Sequence, residues 1–246
     1  MKKHIPNIIT SLNLLCGCIA ILFAVSGDLV AASFFVLTGM FLDFFDGFAA
    51  RLLHVQSKVG LQLDSLADMV TFGVVPGIIM FQLLNKTISK HVLETGFEAS
   101  ETMLWNGENM SFIPFIGLMI VLASAYRLAK FNVDSRQTDS FIGLPTPANT
   151  LLIISLPLIY EFQYTEVIDS VIFNKWFLIA LTIISSLLLN AELPLFSLKF
   201  KTWDFAANKL RYIFLGLSVI AIIALKFIAI PVIIVMYIVL SLFKKE

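Results

Sequence analysis

Residues 41–73 read FLDFFDGFAARLLHVQSKVGLQLDSLADMVTFG, and this stretch decides the fold class. Four aspartates, Asp43, Asp46, Asp64 and Asp68, lie within or beside two segments, about 29–53 and 62–85, that are otherwise apolar enough to cross a bilayer. An Asp at the centre of a membrane helix costs about 2.5–3.5 kcal/mol, so four near the centre would cost on the order of 10 kcal/mol. Something must compensate them, because carboxylates cannot neutralise one another and Arg51 is the only fixed cation in the middle of the set. Asp43 and Asp46 are i,i+3 and Asp64 and Asp68 are i,i+4, so each pair shares one helix face. A short turn around Lys58-Val59-Gly60 makes the two helices antiparallel neighbours, and the acidic pairs then face each other. Converging carboxylates form a hard oxygen site suited to Mg²⁺ or Mn²⁺, with room for two ions. Arg51 would pair with one Asp or hold a phosphate.

The rest of the 246-residue chain agrees with a membrane setting. It is 59% hydrophobic and 14% charged, where a soluble domain has about 45–50% and about 25%. A water-soluble domain is therefore excluded, and so is a disordered chain. Apolar segments of spanning or near-spanning length cover about 8–26, 29–53, 62–85, 112–132, 148–163, 174–190, 211–226 and 228–243. Only Lys226 separates the last two, which could form one re-entrant hairpin. The expected class is an all-α integral membrane protein of about eight transmembrane helices, or six to seven with such a hairpin, in one domain over 1–246. The first segment lacks an A-x-A-like cleavage site and reads as a retained helix.

With eight spans, Lys2, Lys3, Arg51, Lys58, Arg127, Lys130, Arg136, Lys199, Lys201, Lys209, Arg211, Lys244 and Lys245 fall on one side, which is 13 of the 17 cations. The positive-inside rule makes that side cytoplasmic, with both termini and all four aspartates there. The opposite side holds Lys86, Lys90, Lys175, Lys226 and a polar loop of about 86–111 containing Glu94, Glu98, Glu101 and Glu108, read as a loop with a short surface helix. The 17 cations balance 17 anions, so no general basicity suggests nucleic acid. Cys16 and Cys18 are too close in sequence for an easy bridge and read as small buried residues. His4, His54 and His91 are dispersed and form no constellation.

Small residues lie beside the acids. Gly47 and Ala50 flank Asp43 and Asp46, and Gly60 is four residues before Asp64. They leave room for a bulky ligand against the helix backbone, or else serve close helix packing. Thr10, Asn13 and Gly17 share one face of the first helix and would line the same cavity; a helix–helix hydrogen bond is the other reading of Asn13.

The pattern Asp43-x-x-Asp46-Gly47-x-x-Ala50-Arg51, eight residues, Gly60-x-x-x-Asp64-x-x-x-Asp68 resembles the motif of the CDP-alcohol phosphotransferases at every defined position. Pro6-Asn7-Ile8-Ile9-Thr10, followed by Asn13 and Gly17, resembles that family's first helix. The runs LADMVTFGVVPG (66–77), Tyr126-Arg127-Leu128-Ala129-Lys130-Phe131-Asn132 and Phe141-Ile142-Gly143-Leu144-Pro145-x-Pro147 resemble its serine-using branch. After about residue 190 the likeness is less distinct.

The resemblance implies the family's membrane helical bundle and a reaction in which CDP-diacylglycerol loses CMP to a hydroxyl acceptor. It implies two divalent ions, Mg²⁺ or Mn²⁺, held by Asp43, Asp46, Asp64 and Asp68 on the diphosphate, with Asp68 as general base. It implies that Gly47, Ala50 and Gly60 accommodate cytidine and ribose, with Arg51 as a supporting contact and Thr10 and Asn13 lining the nucleotide–lipid site. It also implies a homodimer. For a serine acceptor, Arg127, Lys130 and Asn132 would hold the carboxylate; Arg127 fits a positive-inside anchor equally, and for Lys130 the anchor is the preferred reading. Thr146 as N-cap and Pro147 at the first helical position would start the fifth span. Rival readings are a sister enzyme using glycerol phosphate, inositol phosphate, choline or an ether-lipid donor, a lipid-binding protein without turnover, and a divalent-cation transporter, which would need acids through the membrane depth.

Overall fold

Every apolar segment forms a helix in the computed structural model, which describes residues 4–95, 111–134, 141–196 and 204–243. Most of the expected external loop (96–110) lies outside the described residues, as do Lys2, Lys3, Arg136, Lys199, Lys201, Lys244 and Lys245. Helix α1 (Ile5–Ser26) ends at Gly27, whose φ of 89° is the left-handed conformation that glycine adopts without strain. Asp28 then caps α2 (Leu29–Leu52), its side chain accepting the Ala31 N–H at 2.9 Å. The two helices pack on each other, and many of the residues they bury are small, among them Gly17, Ala20 and Ala24 on α1 and Ala32, Ser33 and Gly39 on α2.

The reversal after α2 is tight. His54 takes a left-handed φ of 53°, and the N–H groups of His54 and Val55 close on the carbonyls of Arg51 and Ala50. This is the helix-ending hydrogen-bond pair that glycine usually makes. Ser57 then caps α3 (Lys58–Asp68), accepting the Gly60 N–H at 2.9 Å.

Immediately after Asp68 the helix widens into a π segment (Met69–Val74) and continues as α4 (Val75–Thr95). Neighbouring side chains hold the widened turn. Thr71 donates its hydroxyl to the Asn13 carbonyl at 3.2 Å, and Thr150 donates to the Phe72 carbonyl at 2.9 Å. Gly17 makes the space, since a Cβ there would stand 2.5 Å from the Thr71 hydroxyl. Helix α4 extends to Thr95 instead of ending near 85, because no Gly or Pro interrupts residues 78–95. The loop therefore begins later than its polarity suggests.

A 3₁₀ turn (Ile113–Leu118) leads into α5 (Met119–Val133). Helix α6 (Thr146–Phe162) runs through the core with Ile153, Ile154 and Leu158 fully buried. Helices α7 (Glu166–Ile172) and α8 (Lys175–Asn190) are bent by 59°. Helices α9 (Phe205–Leu225) and α10 (Ala229–Phe243) reverse at Lys226, whose φ is 49°, and pack on each other. Gln163 pins that hairpin, donating to the Leu225 carbonyl and accepting the Ile228 N–H. A minimal ladder pairs β1 (Phe141–Ile142) with β2 (Pro194–Leu195), Phe141 opposite Leu195.

The chain is an all-α membrane protein. By length and composition five stretches can cross a bilayer, Ile5–Ser26, Leu29–Leu52, Lys58–Ile88, Ile113–Val133 and Asn208–Leu242, and the bent α7–α8 pair makes six. The remaining two of the eight apolar segments are α6, with 17 residues, and the second arm of Asn208–Leu242, which the reversal at Lys226 divides into α9 and α10.

The glycines test this packing. Gly17→Ala should cost about 1–3 kcal/mol through forced overpacking against Thr71, read as a lower unfolding midpoint in detergent. Gly216→Ala, where a Cβ meets nothing within 4 Å, should leave the midpoint unchanged or slightly raised.

Candidate active site

The tight α2–α3 reversal brings the last turns of α2 beside α3, and three of the four aspartates meet there. Asp43, Asp64 and Asp68 each place a carboxylate oxygen within 4.8 Å of the others. Asp46, one turn further along α2, is outside that mutually close set but within electrostatic reach of all three, and with Asp64 it lines an adjoining cavity of ≈ 490 Å³. The expected group of four is thus a triad plus one.

Several features show what the triad requires. Asp68 Oδ1 and Asp46 Oδ2 are buried without a hydrogen-bond partner. Among the described residues none of the four aspartates forms a salt bridge. All the donors are hard carboxylate oxygens, the chemistry of Mg²⁺ or Mn²⁺ rather than of a thiolate- or imidazole-seeking metal. The residues present fit a divalent cation.

The cavity is built by the reversal itself. Pro6, Asn7 and Thr10 of α1 form one wall, Asp46, Gly47, Ala50 and Arg51 of α2 another, and Ser57, Lys58, Gly60, Leu61 and Asp64 the third, with Val55 and Gln56 in the turn. A Cβ added at Gly47 would meet nothing within 4 Å, so helix packing does not account for this glycine. Gly60 is tighter, with Ser57 Oγ and Asn7 Oδ1 at 3.1 and 3.2 Å from such a Cβ. The volume lies within the range of small-ligand sites, about 300–1,000 Å³. Asn13 is absent from the lining. It is fully buried, and its Oδ1 stands 2.8 Å from where a Gly39 Cβ would be, in the α1–α2 interface.

Within electrostatic reach of Asp68 stands Arg127. Only 7% exposed, it is no surface anchor. Its Nε donates to the Leu144 carbonyl at 2.6 Å and its Nη1 to Thr146 Oγ1 at 3.5 Å, and its charge acts on Asp68. Two separate sequence runs therefore hold each other, since 141–147 forms the arch that grips Arg127. Gly143 is essential to the arch. Its φ is 77°, and a Cβ would stand 2.7 Å from the Leu189 carbonyl. Pro145, not Thr146, occupies the N-cap position of α6, because its carbonyl accepts the first helical hydrogen bonds, from the N–H groups of Ala148 and Asn149.

Lys130 and Asn132 go elsewhere. Lys130 reaches Glu192, which is 69% exposed, at 3.4 Å. Asn132 Nδ2 donates to Ser65 Oγ at 2.9 Å. Sequence reasoning missed Ser65 and the turn residues Gln56 and Ser57. Only the shortness of the reversal signalled the latter two, and nothing in the sequence distinguished Ser65.

Comparisons with known proteins follow the same lines. The family model described as CDP-alcohol phosphatidyltransferase matches residues 3–188. The chain is 35% identical over 163 residues to the CDP-diacylglycerol–serine O-phosphatidyltransferase of Bacillus subtilis, covering 65% of this chain and 78% of that one. It is 34% identical over 152 residues to the protein so named in Helicobacter pylori, covering 61% and 55%. With the Saccharomyces cerevisiae protein of that name it shares 34% identity over 169 residues, covering 62% and 53%. The alignments span about half the length of the last two relatives.

Crowded carboxylates repel one another, which fixes the sign of a simple test. With a chelator present, Asp64→Asn should raise the unfolding midpoint by relieving that repulsion. Mn²⁺ should stabilise the parent protein, by about 2.7 kcal/mol at a hundredfold excess over its Kd, and leave Asp64→Asn unmoved. A variant that still gains stability from Mn²⁺ would exclude Asp64 from the cation site.

Proposed function

Because this chain belongs to the CDP-alcohol phosphatidyltransferase family, we propose that it transfers the phosphatidyl group of CDP-diacylglycerol to the hydroxyl of L-serine, giving phosphatidylserine and CMP. The observation that carries the reading is the position of the acidic triad. Through Asp64 it borders an open cavity large enough for a nucleotide, and Asp68 is within electrostatic reach of a buried guanidinium. Donor and acceptor thus have separate places on either side of one acidic centre.

In this reading Asp43, Asp64 and Asp68, with Asp46 on the cavity side, hold two divalent ions, Mg²⁺ or Mn²⁺. When bound, these neutralise the diphosphate oxygens on which charge develops. Gly47, Ala50 and Gly60 leave room for cytidine and ribose, Thr10 lines the wall of α1, and Arg51 supports the phosphates. Arg127, held by the Leu144 carbonyl and Thr146, retains donors for the serine carboxylate. The serine hydroxyl gives its proton to Asp68 as its oxygen attacks the lipid-side phosphorus. The bond from that phosphorus to the bridging oxygen breaks, and CMP departs with the electron pair. Asp68 contributes one oxygen to the triad, which leaves the other for the proton.

Following the positive-inside rule, the site faces the cytoplasm at a cell membrane, with both termini on that side. The homodimer rests on the family resemblance alone. A divalent-cation transporter is disfavoured, since residues 29–42 and 69–85, which complete the two acid-bearing spans, contain no acidic residue.

Purified protein in detergent with CDP-diacylglycerol, Mn²⁺ and labelled serine should release CMP and form labelled lipid. No CMP with any hydroxyl acceptor would refute the enzyme reading, and CMP with glycerol phosphate but not serine would refute the acceptor. Asp68→Asn should abolish turnover while sparing much of the CDP-diacylglycerol binding. Arg127→Lys should raise the KM for serine about 10–100-fold, as expected for a lost charged hydrogen bond, and change the KM for CDP-diacylglycerol far less.

A further inference from the structure

We propose that Ser65 and Asn132 are a positioning pair that fixes the rotation of α3 and thereby the spacing of the carboxylates. The proposal rests on the cation-site reading above. Helix α3 carries Asp64 and Asp68, yet of its 11 residues only Ala67 is buried. Its packing is confined to α1 and to its unbroken continuation into the π segment, so most of the surface of α3 is open and a further contact matters for its angle about its own axis. The consequence is large for metal binding. Side-chain tips lie about 5–6 Å from a helix axis, so a rotation of roughly 20° moves a carboxylate by about 2 Å, comparable to a whole metal–oxygen bond.

On the side facing α5, one side-chain pair adds to that restraint. Asn132 Nδ2 donates to Ser65 Oγ at 2.9 Å, while the Ser65 hydroxyl lies 3.3 Å from Asn132 Oδ1 and 3.2 Å from the Leu61 carbonyl. Ser65 follows Asp64 directly and precedes Asp68 by three residues, so it sits between the two ligands along the helix. Asn132 occupies the last turn of α5, five residues beyond Arg127. The pair therefore ties the acid-bearing helix to the helix that presents the acceptor's arginine. Asn132 serves here as a positioning residue and makes its contact with protein, not with serine.

The test is Mn²⁺ binding to the purified protein without substrates, followed by the paramagnetic resonance signal of free Mn²⁺. Ser65→Ala and Asn132→Ala should each weaken Mn²⁺ binding about 3–10-fold, the range of one hydrogen bond. The double variant should be no weaker than the worse single one, as expected for two ends of one interaction. Ser65→Thr, which keeps the hydroxyl, should bind within about twofold of the parent, and this separates a lost bond from a misfolded helix. Asp64→Asn is the control. If it binds Mn²⁺ like the parent, the cation-site reading itself falls. If it loses Mn²⁺ while Ser65→Ala and Asn132→Ala bind like the parent, the positioning proposal is overturned. An Asn132→Ala protein with normal Mn²⁺ binding but a raised KM for serine would also overturn it, making Asn132 a substrate contact.

Discussion

Three carboxylate oxygens within 4.8 Å of one another, on helices that belong to a membrane bundle, are the constraint around which this molecule is arranged. At an effective dielectric constant of 20, two unit charges at that separation repel by about 3–4 kcal/mol, and the triad contains three such pairs. No salt bridge relieves them among the described residues. An arrangement of this kind is a folding liability unless a multivalent cation completes it. The neighbouring structure is consistent with that purpose. A left-handed His54 allows the tight reversal, Ser57 starts the second acidic helix, and a π segment begins at the residue after Asp68.

The centre has two unlike flanks. Toward α1 and the reversal lies an open cavity walled by small residues, and Gly47 there borders empty space rather than a packed neighbour. Toward α5 and α6 lies a rigid arch, 141–147, whose Leu144 carbonyl and Thr146 hydroxyl grip Arg127. In the proposed reaction the nucleotide–lipid uses the first flank and the amino-acid acceptor the second. The asymmetry is chemical as well as spatial. A bulky donor needs volume, whereas a small zwitterionic acceptor needs a fixed, buried charge.

Much of this was legible in the sequence because the signals were periodic. The eight apolar segments became helices, and the i,i+3 and i,i+4 spacings of the aspartates became shared faces. The signals that failed were those without a period. The separation of Asp46 from the triad depends on how two helices cross, which local spacing does not encode. The π segment arises from Thr71 and Thr150 reaching carbonyls on or across from it, and partners 58 and 78 residues apart leave no local pattern. Charge alone could not tell Arg127 from Lys130, and only burial separates the gripped guanidinium from the half-buried ammonium that pairs with Glu192. The polar run after residue 85 looked like a loop, yet nothing in it breaks a helix before Gly96.

The central claim is that the junction of α2 and α3 is a divalent-cation site formed by the aspartates. Anomalous diffraction from crystals grown with Mn²⁺ tests it without reference to turnover. The account requires a manganese peak within bonding distance of Asp43, Asp64 and Asp68. A manganese peak only at other residues, with the three carboxylates hydrogen-bonded to one another in its absence, would contradict it.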